Sequence, residues 1–320
     1  MEPNGVNSAE KLEVLLVCED PPQMLPALEK HFEVHVQLDA HISDALPAAA
    51  KHVCALVTGT LVGAGQRLIN SLPDIEIIAC TGGHVDRIDM AAARVRGIPV
   101  TNAPGISAPD VADLGLALIL GVSRRLIESH HFVRDGRWPE GGMGFGRRVG
   151  GKKVGILGLG GIGRIIARRV HAFDMEVCYS GPGRKDDVSY PFFDDLSEMA
   201  RHVDYLVVCC PESPQTRHLV DMPVLRALGP EGMLINIARG AIVDEAALIE
   251  ALAQGIIAGA GLDVFEDEPH VPEALTAMDN VILQAHVGAF TTEAKLEMVD
   301  VTMNNLLNHF AGQPLPNPVG

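Results

Sequence analysis

Short, mostly apolar runs alternate with stretches of helical period along nearly the whole chain. Runs at 14–18, 34–37, 54–58, 75–80 and 100–102 are brief and rich in Val and Ile. That is the pattern of parallel strands covered on both faces. Helical spacing at 66–72 and 90–96 separates some of them. Residues 109–134 predict one long helix. Pro109 fits its first turn, Asp110 and Asp113 suit its positive end, and Arg124, Arg125 and Arg134 lie toward the other end. After a Gly-rich stretch at 141–151 a second series begins, with strand runs at 154–157, 177–179, 205–210, 234–238, 259–264 and 281–285. Helices are expected at 163–171, 195–201 and 244–254, and a last one at 291–310. The expected class is α/β, with two doubly wound parallel sheets.

Length agrees with two domains, because 320 residues exceed what a single core usually holds. The formal net charge is −16, from 25 basic and 41 acidic residues. A surface that acidic repels phosphate backbones and anionic lipid, so neither nucleic acid nor a membrane is an expected partner. Any anionic ligand must be held by a local positive site. The six cysteines are Cys18, Cys54, Cys80, Cys178, Cys209 and Cys210. They lie in or beside apolar runs, fit no zinc spacing and read as reduced core residues. The N-terminus, MEPNGVNSAEKLE, lacks an apolar signal core and an Arg-rich amphipathic stretch, and the C-terminal PLPNPVG matches no address signal. The expected location is the cytosol.

The strongest local signal is GxGxxG at Gly158, Gly160 and Gly163, which directly follows an apolar run and opens a helical one. Gly158 permits the tight turn, Gly160 lets a pyrophosphate approach the backbone, and Gly163 lets helix and strand pack closely. Gly161 and Ile162 then stand at a helix N-terminus, whose unpaired N–H groups attract phosphate. A glycine-rich turn without a ligand is the alternative reading. NAD sites usually place Asp or Glu at the end of the next strand to bind the ribose 2′-OH. Here that end reads Cys-Tyr-Ser180-Gly-Pro-Gly-Arg184-Lys185, with no carboxylate at the strand end. Ser180, Arg184 and Lys185 suit a 2′-phosphate, so NADP(H) is the expected preference and NAD(H) remains possible. Arg184 and Lys185 read otherwise as solvated loop charges.

Three residues stand at the ends of late strands of the second series, where doubly wound sheets bind ligands. They are Arg239, Glu268 and His286. A guanidinium pairs with a substrate carboxylate and polarises a carbonyl. An imidazole titrates near neutrality and can protonate the carbonyl oxygen as hydride arrives. A carboxylate bonded to it favours imidazolium and fixes the ring. Each taken singly also reads as an ordinary structural residue. His130 and His131 are adjacent and face different sides of a helix, so no metal is expected.

The runs Ile235-Asn-Ile-Ala-Arg239-Gly240, Gly261-Leu-Asp263-Val-Phe-Glu-Asp-Glu268-Pro269 and Ala285-His286-Val-Gly288 resemble the D-isomer-specific 2-hydroxyacid dehydrogenases over almost the whole chain. Within that family the chain looks most like the glyoxylate/hydroxypyruvate reductases, including the NADPH-using hydroxyphenylpyruvate type. Residues 145–151 and the Asp263 to Pro272 run carry that closer likeness. The resemblance implies a flavodoxin-like substrate domain, 1–102 with 290–320, and a Rossmann-like cofactor domain, 103–289. It also implies an active-site cleft, a homodimer formed through the extended helical region, and reduction of a small 2-oxo acid to its D-2-hydroxy acid. The family's Arg, Glu and His fall on Arg239, Glu268 and His286. Its nicotinamide-amide contact falls on Asp263, and its cofactor-lining positions on Cys210, Pro211, Thr216 and Ala238.

Two departures stand out. The family's substrate loop, usually Ser-Val-Gly-x-Asp, reads Gly82-Gly83-His84-Val85-Asp86. Its backbone N–H groups normally hold the substrate carboxylate. His84 replaces a glycine, and a non-glycine residue does not freely take positive φ, so the loop shape is expected to change. His84 reads either as a further substrate contact or as a plain loop residue. The residue before the catalytic His, often Pro, is Ala285. Two rivals remain: a dinucleotide-sensing interaction protein of co-repressor type on the same fold, and a formate-type dehydrogenase. The latter pairs its His with Gln, against which Glu268 speaks.

Overall fold

The computed structural model describes residues 11–19, 21–38, 50 and 52–320. The first ten residues, on which the expectation of no N-terminal leader chiefly rests, lie outside the described residues.

The chain begins with β1 (Glu13–Leu16), α1 (Met24–Glu29), β2 (Glu33–Val36), β3 (Ala55–Thr58), α2 (Gln66–Ser71), β4 (Ile77–Cys80), α3 (Met90–Val95) and β5 (Val100–Thr101). Two helices follow, α4 (Ala108–Arg124) and α5 (Leu126–Arg134). The second series comprises β6 (Lys153–Leu157), α6 (Gly161–His171), β7 (Glu176–Ser180), β8 (Phe192–Phe193), α7 (Leu196–His202), β9 (Tyr205–Val208), α8 (Met222–Leu228), β10 (Met233–Asn236), α9 (Glu245–Ala253), β11 (Gly259–Leu262), α10 (Glu273–Thr276) and β12 (Val281–Leu283). The chain closes with α11 (Thr292–Phe310) and β13 (Pro318–Val319).

These elements divide into two compact units. One takes in the chain up to Ser107 together with Phe290–Gly320; the other is Ala108–Ala289. The first sheet runs β13-β5-β4-β3-β1-β2, parallel throughout except for the antiparallel β13. The second runs β12-β11-β10-β9-β6-β7-β8, all parallel. Every residue of β3, β4, β9, β10 and β11 is buried, which is why those runs show no polar alternation.

Each sheet is covered on both sides. In the second unit, Leu196, Met199, Leu225 and Leu248 of α7, α8 and α9 pack on one face. Leu118 and Ile119 of α4 and Ile166 of α6 pack on the other. In the first unit α2 and α3 cover one face, and α1 and α11 the other. Side-chain caps fix several helix starts. Asp89, Asp195, Asp221, Asp244 and Thr291 each accept the N–H three residues on. All six cysteines are free thiols, and only Cys209 is not fully buried.

The expected single helix at 109–134 is two. It breaks at Arg125, which takes a left-handed φ of 52°. Ser123 explains the stop. Its hydroxyl bonds back to the Ile119 carbonyl at 2.5 Å and meets the Tyr205 hydroxyl at 2.7 Å. The Ser123 carbonyl is taken by Arg147 N–H at 2.7 Å, outside the helix. Arg125 then grips Glu128 through two nitrogens, at 2.5 and 2.6 Å, which starts the second helix.

Among the described residues one buried side-chain oxygen lacks a partner, the hydroxyl of Thr101 in β5. Removing an unsatisfied buried polar atom at constant shape recovers its desolvation cost. Thr101→Val is therefore expected to stabilise the protein by about 1 kcal/mol in urea unfolding. A loss of stability contradicts this.

Candidate active site

In the second sheet β6 has β7 on one side and β9 on the other, so strand order reverses there. Ligands of such sheets bind outside the carboxyl ends at this switch point. The glycine turn lies at that place. Gly158 takes φ +98°, and a Cβ on it would stand 2.6 Å from the Cys210 backbone nitrogen. Gly163 is equally confined, 2.4 Å from the Gly158 carbonyl oxygen and 3.1 Å from Ile156 Cγ2. Gly160 and Gly161 instead face open space. Two glycines thus close the turn onto its neighbours, and two leave the N-terminus of the 11-residue α6 uncovered for an anion. Cys210 and Ala238 line this end of the sheet and are almost fully buried. Thr216 is occupied within its own loop: its hydroxyl accepts from Ser213 N–H at 2.8 Å and donates to the Pro211 carbonyl at 2.9 Å.

Ser180 ends β7, is buried, and its carbonyl accepts Gly158 N–H at 2.9 Å. In the following loop Lys185 N–H donates to the Tyr179 hydroxyl at 2.7 Å. Arg184 is exposed and makes no ion pair among the described residues. Arg164, one residue beyond the third glycine, pairs with Asp187 of the same loop at 2.9 Å. This pair joins α6 to the β7 loop and neutralises one of the carboxylates that follow Lys185.

His286 and Glu268 meet: Nδ1 lies 2.8 Å from Oε2, with both side chains about four-fifths buried, at 23% and 20% exposure. The other carboxylate oxygen of Glu268 accepts Phe265 N–H at 3.1 Å. Burial pushes the Glu268 carboxyl up. The hydrogen bond and charge of His286, the Phe265 N–H and the charge of Arg239 outweigh it and hold the carboxyl below the usual range. Glu268 is therefore ionised, and an ionised carboxylate only accepts. The proton between the two groups belongs to His286 Nδ1, which leaves Nε2 as the ring's working atom. The charge of Arg239 thus bears on the same pair.

Three further residues, whose structural part sequence reasoning missed, build this arrangement. His286 itself takes φ +54°, a left-handed value that costs a non-glycine residue energy. Asp263 holds that turn closed. Its carbonyl accepts His286 N–H at 2.8 Å, and its carboxylate accepts Val287 N–H at 2.8 Å and Gly288 N–H at 3.0 Å. Burial pushes the Asp263 carboxyl up, and those two N–H groups together with His286 oppose the shift. Both oxygens keep spare lone pairs, so a further donor can still be accepted. Asn236, 1% exposed, bridges the Arg239 turn: its Nδ2 donates to the Arg239 carbonyl at 3.0 Å and its Oδ1 accepts Ala238 N–H at 3.1 Å. Gly240 permits close approach, since a Cβ there would fall 2.0 Å from the Phe265 backbone. The signal for Asn236 is legible afterwards as one polar residue inside the run Ile235-Asn-Ile237.

The Gly82-Gly83-His84 loop belongs to the other unit and follows β4. His84 is exposed and does not take a positive φ, so this non-glycine residue sits in the loop without left-handed strain. The tight position is Gly82, where a Cβ would come within 2.0 Å of Thr60 Oγ1. Among the described residues no group of three or more His, Cys, Asp or Glu is placed to hold a metal.

A family model described as "D-isomer specific 2-hydroxyacid dehydrogenase, NAD binding domain" matches residues 116–288. Glyoxylate/hydroxypyruvate reductase A of Arabidopsis thaliana is 42% identical over 97% of this chain and 99% of its own. The hydroxyphenylpyruvate reductase of Plectranthus scutellarioides is 40% identical over 97% and 99%. Among solved structures, the NADPH-dependent glyoxylate/hydroxypyruvate reductase of Sinorhizobium meliloti, in complex with NADP and malonate, is similar. It superposes with a TM-score of 0.90 at 36% identity, covering 97% of each chain. The protein belongs to the D-isomer-specific 2-hydroxyacid dehydrogenase family.

Asp263→Asn would turn an amide N–H₂ toward one of the two backbone donors it now satisfies. It is expected to lower stability by about 1–3 kcal/mol in urea unfolding, the cost of an unpaired buried donor. An unchanged or raised stability contradicts the role given to this carboxylate.

Proposed function

We propose that this protein reduces a small 2-oxo acid (glyoxylate, hydroxypyruvate or an aryl pyruvate) to the D-2-hydroxy acid, with NADPH preferred and NADH possible. The observation that carries this is the 2.8 Å His286–Glu268 pair, beside the charge of Arg239 and in the unit that holds the glycine turn. The dinucleotide supplies hydride when bound. Gly160, Gly161 and Ile162 receive its pyrophosphate, and Ser180, Arg184 and Lys185 its 2′-phosphate. Cys210, Pro211, Thr216 and Ala238 line it, and the spare lone pairs of Asp263 accept the carboxamide N–H₂. Arg239 polarises the substrate carbonyl and pairs with the carboxylate. His286 delivers a proton from Nε2 to the carbonyl oxygen. Glu268 keeps the charge of the imidazolium favourable and its ring in place. In the unit up to Ser107 the backbone N–H groups around Gly82, Gly83 and His84 receive the substrate carboxylate.

We further infer a cytoplasmic homodimer with no nucleic-acid partner. Net charge −16 argues against polyanions. No helix among the described residues is long and apolar enough to cross a membrane. Leu126, Ile127, Val133, Trp138 and Phe145 are all exposed within twenty residues, and Phe145 is 100% exposed. An apolar patch of that kind suits a second copy of the chain. The dinucleotide-sensing alternative would bind NADPH without oxidising it.

Purified protein is expected to oxidise NADPH with hydroxypyruvate or glyoxylate at a higher kcat/KM than NADH. Equal efficiency with the two removes the 2′-phosphate assignment. His286→Ala should cut kcat by about 10²–10⁴, and near-normal turnover removes the proton-donor assignment.

Glu268→Gln gives a second test. The lowered Glu268 carboxyl reports that its charge and the His286 proton stabilise each other. Removing the charge while keeping an acceptor weakens the protonated ring. The alkaline limb of the kcat profile for reduction should therefore move to lower pH; an unmoved limb contradicts the pairing.

A further inference from the structure

Three successive carbonyls of the loop after β4 are tied from behind. The Gly82 carbonyl accepts Ala103 N–H at 2.9 Å. The Gly83 carbonyl accepts the Asn102 side-chain amide at 2.8 Å. The His84 carbonyl accepts the Thr60 hydroxyl and the Cys80 thiol, each at 3.3 Å. Burial pushes the Cys80 thiol up, so it keeps its proton. A trans peptide is planar, with N–H opposite C=O. Fixing these three carbonyls therefore fixes the directions of the Gly83, His84 and Val85 N–H groups.

Asn102 is itself held from the C-terminal part of the chain. Its own N–H donates to the Asn317 carbonyl at 3.3 Å. Its carbonyl accepts the Asn305 side chain of α11 at 3.4 Å, and Asn305 Oδ1 accepts Asn317 N–H at 3.1 Å. Asn305 is 1% exposed, and β13 pairs with β5 immediately beside it, Pro318 against Thr101. A buried amide with donors and acceptors both engaged at this spot serves no apolar packing. It joins the C-terminal segment to the end of β5.

We propose that Asn102 is a positioning residue of the oxo-acid subsite, and that Asn305 and the C-terminal residues 317–319 act through it to aim the loop amides. This rests on the reading of the Gly82–His84 loop as the carboxylate site. Three alanine variants, Asn102→Ala, Asn305→Ala and the double change, are compared for hydroxypyruvate KM and kcat, and for NADPH Kd by fluorescence. Loss of one neutral hydrogen bond should raise hydroxypyruvate KM about fivefold, with NADPH Kd and kcat within about twofold. The double variant should show less than the product of the single effects, as residues in one network do. A chain ending at Leu315 leaves both asparagines intact and should raise KM likewise. It serves in place of the alanine variants should those not fold.

Proportional losses in NADPH binding, kcat and thermal stability mean a merely structural role and overturn the proposal. Gly82→Ala separates the remaining outcomes, because its Cβ would displace the Thr60 hydroxyl that holds the His84 carbonyl and so disturb the loop without touching Asn102. KM raised by Gly82→Ala but unmoved by the Asn102 variant sinks the brace while the carboxylate site stands. KM unmoved by both sinks the carboxylate site, and the brace with it.

Discussion

One buried carboxylate sets the geometry on which the rest depends. Asp263 accepts two consecutive backbone N–H groups and, through its carbonyl, a third. It thereby keeps the 286–288 turn closed and His286 in a left-handed conformation that the residue would otherwise leave. The strain is stored where the ring must face Glu268. Loosening that turn would separate two four-fifths buried hydrogen-bond partners, and a buried polar group left unpaired is costly. Burial is the dominant influence on the Asp263 carboxyl and pushes it up; the Val287 and Gly288 N–H groups and His286 oppose that shift without cancelling it.

The sheet converts this local device into a site. β11 and β12 are parallel neighbours, so Asp263 and His286 leave the sheet at the same end. β10 lies on the other side of β11 and delivers Arg239 there too. The glycine turn after β6 opens at that edge as well, one strand beyond β9. A parallel sheet places every strand's carboxyl end on one side, so residues from 158 to 286 leave the sheet at the same end. Gly240 completes the approach by letting the Arg239 turn rest on the Phe265 backbone, whose N–H holds Glu268.

Much of this was legible in the chain because burial on both faces erases polar alternation. β3, β4 and β9–β11 are wholly buried, and each matches an apolar run of the sequence, β10 starting one residue earlier than its run. Elements with weak patterns escaped. α1, α8 and the two-residue β8 and β13 owe their existence to tertiary packing or to a cap such as Asp221. The break at Arg125 depends on Ser123 meeting Tyr205, 82 residues away, which no local pattern encodes. The glycines, Arg239, Glu268 and His286 were visible as motif residues. Asn236 and Asn102 were not: Asn236 stands out only as one polar residue in an apolar run, and neither position says which backbone groups its neutral amide will bond.

The central claim is that Glu268 holds the proton of His286 on Nδ1 and leaves Nε2 to the substrate. ¹⁵N-histidine labelling and NMR of the free protein test it directly. The account predicts a protonated Nδ1 whose proton resonates far downfield, assigned to His286 by its loss in His286→Ala. A bare Nδ1, with the proton of the neutral ring on Nε2, would contradict it.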